Sequence, residues 1–380
     1  MKTQPAALIP AFDDQEEIFA AAFTILQNAI ADRAFPAASI AITQGDRLIA
    51  LKGFGHSIYP GAPFLASLAR SGDFETDAST LFDLASVTKA VATTTAAALL
   101  YKRGQLELEA PVTGVIPEFA SKSDPRCNEV TFRMLLAHSS GLPAYEKLFV
   151  KAGTREELLT AAFQTALTSD PCTRAEYSDI GFILLGVALE RIVGESLDVF
   201  CQREIFGPLG MSHTTFNPPP EVRNKIPPTA DDLTFRKRII QGEVQDENAY
   251  VLGGVAGHAG LFSNAKDLAR FAHAMLNGGA TLLRPETVTL FTRRESEPAG
   301  TSRTLGWDTP SAPSQSGKYF GPRSYGHLGY TGTSLWIDPD RQLSVTLLTN
   351  RTWPDCQSQA IKQVRPKFHD AVVEAAKEST

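Results

Sequence analysis

The chain carries the stretch Phe82-Asp83-Leu84-Ala85-Ser86-Val87-Thr88-Lys89, followed at once by an alanine- and threonine-rich run over residues 90–100. Apolar residues before Ser86 predict a strand, and the run after it predicts a buried helix. In that helix Lys89 projects from the same face as Ser86, one turn away. An amine kept neutral by burial or positive potential can take a serine's proton, and the positive helix N-terminus favours both that neutral amine and a developing oxyanion. The stretch therefore predicts a catalytic Ser86 and Lys89 pair.

The same four-residue pattern occurs again at Ser263-Asn264-Ala265-Lys266. This copy stands before an amphipathic segment, residues 268–276, where short polar side chains commonly cap a helix. Ser86 differs because it follows an apolar strand-like approach and opens a segment that is apolar on nearly all sides. We therefore interpret the second copy as a helix cap and the first as the site of a nucleophile.

The composition is that of an ordinary globular protein, with 380 residues and 43% hydrophobic residues, long enough for one large domain or two interlocked ones. A formal net charge of −6 offers no basic footprint for nucleic acid or an anionic membrane surface. Neither the four cysteines nor the seven histidines form a metal-ligand spacing, and the glycine-rich run over residues 253–262 matches no nucleotide-binding motif. We therefore expect no cofactor and no metal.

Two further features concern localisation. The run over residues 90–100 is too short to cross a bilayer, so we expect no membrane span. The first twenty residues carry several acidic side chains and no uninterrupted apolar core, which predicts no signal peptide. We accordingly expect a cytoplasmic protein, with a periplasmic one as the alternative if a leader has been trimmed.

The pattern of elements predicts a frame with an insertion. Residues 38–43 and 47–53 read as a hairpin, and a second hairpin is predicted where residues 335–338 and 343–349 flank a turn. Residues 355–377 are predicted to form a closing helix. Residues 105–228 are mainly helical in pattern, so we interpret them as a helical subdomain inserted into an α/β domain made of residues 1–104 and 229–380.

Two histidines outside the opening stretch invite a catalytic interpretation. His138 ends a predicted helix before a tight turn, where the helix dipole and the last carbonyl groups favour a histidine for structural reasons. His258 lies in the glycine-rich part of the loop over residues 246–260, which is either a shaped loop near a site or a plain connector. We assign a structural role to His138 and no role to His258.

Tyr177 precedes a predicted helix whose N-cap is Ser178 or Asp179, and this places the tyrosine on a loop. It is either a packing tyrosine with a satisfied hydroxyl or a phenol that shares a proton with Lys89 and Ser86. Spacing alone leaves both interpretations open.

Four motifs follow one another along the chain: Ser86-Val87-Thr88-Lys89, His138-Ser139-Ser140-Gly141-Leu142-Pro143, Tyr177-Ser178-Asp179 and His327-Leu328-Gly329. Their order resembles the serine hydrolases related to class C β-lactamases, low-molecular-weight penicillin-binding proteins and their esterase relatives, over roughly residues 38–350. The resemblance implies an α+β fold of the β-lactamase and transpeptidase type. In that fold an antiparallel sheet is flanked by helices, and the active site lies between it and an all-helical subdomain.

The resemblance also implies roles for individual residues. Ser86 would form an acyl-enzyme, and Lys89 and Tyr177 would handle its proton as a coupled pair. Backbone N–H groups of Ser86 and Tyr330 would form the oxyanion hole. The sequence itself, apart from the resemblance, indicates that Gly326 and Gly329 leave room for a ligand against the strand backbone.

Departures from the family pattern bear on the substrate. Asp179 stands where many relatives have asparagine, and a carboxylate cannot donate a hydrogen bond to an amide carbonyl. A carboxylate near Lys89 also favours the ammonium form, which shifts the role of base toward Tyr177. The resemblance also places His327 where lysine is common, and its side chain is mostly neutral at pH 7. We therefore expect the site to lack a permanent positive charge for binding a substrate carboxylate. Leu328 replaces a threonine hydroxyl.

We therefore predict a serine hydrolase, an esterase acting on small acyl esters through Ser86, whose partner is a small-molecule ester or amide substrate. The alternatives are a β-lactamase or D-alanyl-D-alanine carboxypeptidase and, from another class, a non-catalytic protein that binds cell-wall peptides. The intact Ser86, Lys89 and Tyr177 argue against the binding protein. The sequence leaves the natural substrate, the identity of the base and the oligomeric state open.

Overall fold

The structure is a computed structural model that describes residues 7–60, 72–120 and 124–378. Parts of the predicted 1–104, 105–228 and 229–380 segments, namely residues 1–6, 61–71, 121–123 and 379–380, lie outside the described residues. No helix in the described ranges is both long and apolar enough to span a membrane.

A six-stranded sheet in the order β1-β3-β2-β11-β10-β9 forms the centre of the molecule. All its neighbouring strands are antiparallel except β1, which runs parallel to β3. Two smaller sheets, β4-β8-β5 and β6-β7, accompany it. The strands are β1 Ile9–Pro10, β2 Ala37–Gln44, β3 Arg47–Gly55, β4 Phe82–Asp83, β5 Thr215–Phe216, β6 Ala230–Asp232, β7 Arg238–Ile240, β8 Leu261–Ser263, β9 Tyr325–Leu328, β10 Ser334–Asp338 and β11 Leu343–Thr349.

Both predicted hairpins are confirmed, as β2 with β3 and β10 with β11, and β11 joins them by pairing with β2. The segment before β10 adds a further strand, β9, that the hairpin prediction did not include. Strands from both ends of the chain therefore meet in one sheet.

Helices cover both faces of the large sheet, and this explains why β10 and β11 are buried along their whole length. Helices α2 and α12 pack together on one face, while α10 packs against β2 and β11 on the other. The helices are α1 Gln15–Ile18, α2 Ala20–Ala31, α3 Thr95–Lys102, α4 Phe132–Leu136, α5 Arg155–Phe163, α6 Asp179–Val193, α7 Leu197–Cys201, α8 Pro220–Arg223, α9 Glu247–Val251, α10 Ala265–Leu276, α11 Pro285–Thr292 and α12 Ile361–Glu378.

The predicted buried helix after Ser86 is present, but it begins with a π-helical segment, Lys89–Thr94, before α3. Every residue of that segment is buried, and so are the first six residues of α3, Thr95 to Leu100. Small alanine and threonine side chains let this segment pass through the interior, where it packs against α6. The nucleophile candidate therefore stands at the start of a rigid central element.

The region over residues 105–228 is mainly helices and turns, but it also contributes the short strand β5. β5 pairs with β8, which pairs in turn with β4, the two residues that lead into the Ser86 turn. This small sheet connects the residues before Ser86 to two distant parts of the chain, residues 261–263 and 215–216.

Two expectations about helix ends can be compared with the structure. Asn264 caps α10 by accepting a hydrogen bond from Asp267 N, and Lys266 is exposed, which confirms the capping interpretation of the second pattern. The closing helix begins at Ile361, so its predicted start at residue 355 is wrong. Residues 355–360 instead wrap around Arg351, whose guanidinium binds two of their carbonyl groups.

Candidate active site

The turn that carries Ser86 is held by hydrogen bonds from both sides. Asp83 Oδ1 accepts from Ala85 N at 2.8 Å, while Ala85 adopts a left-handed φ of +46°. Thr331 Oγ1 donates to Asp83 O at 2.8 Å, and Thr333 Oγ1 donates to Leu84 O at 3.0 Å. The loop between β9 and β10 thus clamps the residues before Ser86 and leaves Ser86 itself partly accessible.

The ammonium-bearing end of Lys89 contacts three oxygens. Nζ donates to Ser86 Oγ at 2.9 Å, to Asp179 Oδ1 at 2.6 Å and to the carbonyl oxygen of His258 at 3.0 Å. A carboxylate and a carbonyl can only accept, so they take two N–H groups of either protonation form. The third position of the nitrogen, an N–H in the ammonium or a lone pair in the amine, faces Ser86.

The charges around Lys89 decide whether its side chain is an ammonium or an amine before a substrate reacts. Burial disfavours the ammonium, but the Asp179 carboxylate and Tyr177 outweigh burial and raise the pKa of Lys89. The expectation of an amine held neutral is therefore wrong for the resting site, because the carboxylate lies in direct contact. The expectation that this carboxylate favours the ammonium is confirmed.

Tyr177 interacts with Lys89 and Ser86. The spacing of the three residues in the sequence could not show this. It precedes α6, whose N-cap is Ser178, and its ring centroid lies 4.8 Å from Lys89 Nζ. Burial raises the pKa of the Tyr177 phenol, while hydrogen bonds to Lys89 and Ser86 act in the opposite direction. The structure therefore brings Ser86, Lys89, Tyr177 and Asp179 into one cluster.

We expect Asp179→Asn to move the acid limb of the kcat/KM profile to lower pH. The substitution removes the carboxylate that raises the pKa of Lys89 and leaves the burial that lowers it, so the amine forms at lower pH. The measurement is kcat/KM for a neutral ester across pH. Asp308→Asn, which removes a carboxylate from another part of the same cavity, is the matched control and should leave the limb in place. An unchanged limb in Asp179→Asn would show that this carboxylate does not control the titration.

His138 has a structural role, but not the predicted one. Its Nδ1 accepts a hydrogen bond from Ser178 N at 3.0 Å, and its ring packs on Tyr177 with centroids 4.6 Å apart. Burial, together with Arg303 and Lys89, lowers the pKa of His138, so the ring is neutral. A neutral acceptor gains nothing from the helix dipole; instead it fixes the backbone next to Tyr177.

His327 is neutral, as predicted. Burial, with smaller effects from Lys89 and Arg303, lowers the pKa of His327 to about 3. The ring lies 6.0 Å from Tyr177, and Nδ1 lies 2.8 Å from Leu328 O, which assigns the proton to Nδ1. Nε2 is then an acceptor, and it is buried with no partner among the described residues.

The two backbone N–H groups predicted to form the oxyanion hole make no other hydrogen bond among the described residues. Neither Ser86 N nor Tyr330 N donates to another described residue. Gly329 allows the loop to approach Ser86, because a Cβ at this position would lie only 2.5 Å from Leu84 O. Arg351 Nε donates to Tyr330 O at 2.7 Å and holds that peptide unit in place. Both N–H groups are therefore available to donate to an oxyanion.

The loop over residues 246–260 belongs to the site, so its interpretation as a plain connector is wrong. Lys89 binds the carbonyl of His258, and His258 Nε2 lies 2.8 Å from Asp246 Oδ1. Gly257 packs directly on Gly186 of α6, where an added Cβ would lie 2.9 Å from the Gly186 Cα. The glycines of this loop were the available signal, since they permit such close backbone contact.

A cavity of about 690 Å³ opens over Ser86. Its lining includes cationic side chains that lie outside every motif, namely Arg303, Arg351, Lys362 and Arg365. The third motif itself carries no permanent charge, but the cavity does, and this corrects the sequence-based conclusion for the site as a whole. No group of three or more metal-ligating side chains occurs within the described part of the chain.

Comparisons with known proteins agree with this geometry. A family model described as Beta-lactamase matches residues 22–364. The "N-acetylmuramyl-L-alanine amidase" of Bacillus subtilis (strain 168) is 34% identical over 83% of this chain and 77% of its own length. The "Putative D-alanyl-D-alanine carboxypeptidase" of Escherichia coli (strain K12) is 32% identical over 84% of this chain and 79% of its own.

Two solved structures share the fold. EstCE1, a hydrolase with promiscuous acyltransferase activity, matches with a TM-score of 0.75 at 20% identity, over 94% of this chain and 99% of its own. Simvastatin synthase from Aspergillus terreus matches with a TM-score of 0.72 at 19% identity, over 93% and 98%. At these identities the likeness concerns the fold alone.

Proposed function

Because this chain belongs to the beta-lactamase family and is a serine hydrolase, we propose that it cleaves small acyl esters through an acyl-enzyme on Ser86. The observation that supports the nucleophile is the 2.9 Å contact between Lys89 Nζ and Ser86 Oγ. The same lysine contacts Tyr177 and Asp179, so a proton leaving Ser86 has acceptors within reach.

In the proposed reaction Ser86 Oγ attacks the ester carbonyl while its proton passes to the coupled pair of Lys89 and Tyr177. The pair accepts this proton after the cluster has lost one proton to solvent, because Lys89 is an ammonium and Tyr177 a phenol at rest. The N–H groups of Ser86 and Tyr330 stabilise the oxyanion. The pair then protonates the departing alcohol, and water releases the acyl group by the reverse sequence.

The contact between Lys89 and Asp179, at 2.6 Å, supports an ester over an amide. A carboxylate held by an ammonium accepts hydrogen bonds only, so this position offers an amide carbonyl no donor. His327, with its neutral acceptor nitrogen, does not replace that donor. An ester with a good leaving group reacts with less stabilisation from hydrogen-bond donors of this kind.

Hydrolysis of a peptide or amide is the second candidate. It is favoured by the named activities of the two relatives, an amidase and a carboxypeptidase, at 34% and 32% identity. The cationic side chains of the cavity are compatible with a peptide carboxylate. Family membership as a serine hydrolase argues against the third alternative, a binding protein without activity.

We expect p-nitrophenyl butyrate to be cleaved with a kcat/KM on the order of 10²-fold above that of butyryl p-nitroanilide, about the effect of one missing transition-state donor. The two substrates share their acyl group and differ only in the leaving atom. A D-alanyl-D-alanine peptide and a cephalosporin complete the panel. Faster turnover of the peptide or the cephalosporin than of the ester would replace the esterase with the second candidate or with a β-lactamase.

A further inference from the structure

The loop over residues 246–260 presents a backbone oxygen, rather than a side chain, to Lys89. The carbonyl of His258 accepts from Lys89 Nζ at 3.0 Å, beside the 2.9 Å contact between Nζ and Ser86 Oγ. A carbonyl group is only as well placed as the backbone that carries it. The direction of Nζ therefore depends on how this loop is held.

The sequence of the loop gives its backbone considerable freedom. Three of its glycines have positive φ values, between +81° and +118°, and a fourth directly precedes His258. Glycine loses more conformational entropy on ordering than any other residue, so a loop of this composition is costly to fix. Contacts from outside the loop, or between its side chains, must hold the His258 carbonyl in place.

Two buried threonines fix the C-terminal half of the loop. Thr93 Oγ1 donates to Gly257 O at 2.7 Å, and Leu261 N donates to Thr88 Oγ1 at 3.1 Å. Both threonine side chains are fully buried. They hold the backbone on either side of His258.

The side chain of His258 fixes the N-terminal half of the loop. Its Nε2 lies 2.8 Å from Asp246 Oδ1, and because a carboxylate only accepts, Nε2 is the donor. Nδ1 is buried and has no partner among the described residues, so this hydrogen bond orients the ring. Asp246 Oδ1 also accepts from Ala249 N at 2.8 Å, which anchors the carboxylate to α9.

A buried carboxylate joins this pair to the turn that carries Ser86. Asp83 is 1% exposed, and its Oδ2 accepts from Gln245 N at 2.7 Å while Oδ1 accepts from Ala85 N at 2.8 Å. Burial raises the pKa of Asp83 to about 6, and the carboxylate forms no ion pair within the described part of the chain. A carboxylate is costly to keep in such a place. It connects the turn before the nucleophile with the residue next to Asp246.

These contacts close a ring of hydrogen bonds through the site, which we call the hydrogen-bonded ring. In order, its members are Ser86, Lys89, His258, Asp246, Gln245 and Asp83. We propose that Asp83, Asp246 and His258 are positioning residues. They act through Lys89, because they keep its Nζ directed at the serine hydroxyl while the proton is transferred. The inference rests on the proposed function, since it concerns the same proton transfer.

Two amide substitutions at His258 test the ring. Glutamine places an amide nitrogen near the position of Nε2 and can still donate to Asp246, whereas asparagine is one methylene shorter and cannot reach it. We expect His258→Asn to lower kcat for p-nitrophenyl butyrate about 10- to 100-fold with KM changed less than about 3-fold, the scale of a misplacement of about 1 Å. His258→Gln should restore most of this loss.

Asp83→Asn tests the opposite side of the ring. An amide has one acceptor oxygen where the carboxylate has two, so one of the two backbone N–H groups loses its partner. We expect kcat to fall about 10-fold. The double variant, Asp83→Asn with His258→Asn, should lose less than the product of the two single losses, because both substitutions break one ring. Independent structural effects at the two positions would multiply instead.

His213→Asn is the matched control. His213 also lies near an aspartate, with Nδ1 3.9 Å from Asp267 Oδ2, but it is exposed and does not line the cavity. We expect this variant to keep the kcat of the wild type. Melting temperatures of all variants report whether each one is folded.

The rate at which a fluorophosphonate labels Ser86 separates this inference from the proposed function. In this reaction Ser86 Oγ bonds to phosphorus, fluoride leaves and the hydroxyl proton passes to Lys89 and Tyr177, so the position of Nζ matters whichever ester is cleaved. His258→Asn should be labelled at least about 10-fold more slowly than His258→Gln. A wild-type protein that is labelled but cleaves no ester would remove the proposed function only.

Three results would overturn the hydrogen-bonded ring as a positioning device. The first is an equal kcat and an equal labelling rate in His258→Asn and His258→Gln. The second is a double variant whose losses multiply. The third applies if His258→Asn does not fold, and it is an Asp83→Asn protein that is labelled as fast as the wild type.

Discussion

Ser86→Ala protein is expected to lose ester hydrolysis by on the order of 10³-fold or more in kcat/KM. The substitution removes the oxygen that Lys89 Nζ contacts at 2.9 Å and leaves the fold intact, because Ser86 is partly accessible and the hydrogen bonds that hold the turn before it do not involve its hydroxyl. Residual turnover would come from the oxyanion donors and from binding alone. The measurement is steady-state cleavage of p-nitrophenyl butyrate.

The chain supplies its own control for this experiment. Ser263 belongs to an identical four-residue pattern, but its hydroxyl lies in β8 and bonds to Thr214 Oγ1 at 2.7 Å. Ser263→Ala should change stability slightly and kcat/KM by no more than a few-fold. If Ser86→Ala retained wild-type turnover, or if Ser263→Ala abolished it, the assignment of the nucleophile would be wrong.

Tyr177→Phe should lower kcat by about 10² to 10⁴-fold with little change in KM, which is the range for loss of a positioned proton-transfer group. The variant keeps the ring that packs against His138 and removes only the hydroxyl that interacts with Lys89 and Ser86. Because the effect lies in proton transfer, binding of substrate remains. Stopped-time assays of kcat and KM for one neutral ester measure it.

Tyr145→Phe is the matched control for Tyr177→Phe. Tyr145 also lines the cavity, and burial raises its pKa, but no hydrogen bond links it to Ser86 or Lys89 among the described contacts. A similar loss in both variants would point to packing of the cavity rather than to proton transfer. An unchanged kcat in Tyr177→Phe would leave Lys89 as the sole base.

Local patterns explain which parts of the fold could be predicted. The two hairpins and the pair of Ser86 and Lys89 depend on residues a few positions apart, where alternation of side chains and helical spacing are informative. The strand β9 lies before the predicted hairpin, which included only residues 335–338 and 343–349. The start of α12 was predicted too early, since the interaction of Arg351 with residues 356 and 358 is tertiary.

The site itself depends on contacts that no spacing records. Lys89 and Asp179 are 90 positions apart, and only the family resemblance suggested that the two residues meet. The sequence predicted both a neutral amine and an ammonium for Lys89. Burial lowers the pKa of a lysine and a nearby carboxylate raises it, and the balance depends on the distance to the carboxylate. Arg303, Arg351 and Arg365 belong to no motif, so their position in the lining of the cavity could only be read from the structure.

Intact-mass analysis with a fluorophosphonate tests the central claim most directly, followed by peptide mapping of the modified residue. The wild-type protein is expected to gain one adduct, located on Ser86, while Ser86→Ala gains none and Ser263→Ala reacts like the wild type. An adduct that persists in Ser86→Ala, or a wild-type protein that gains no adduct at all, would contradict the account of Ser86 as the nucleophile.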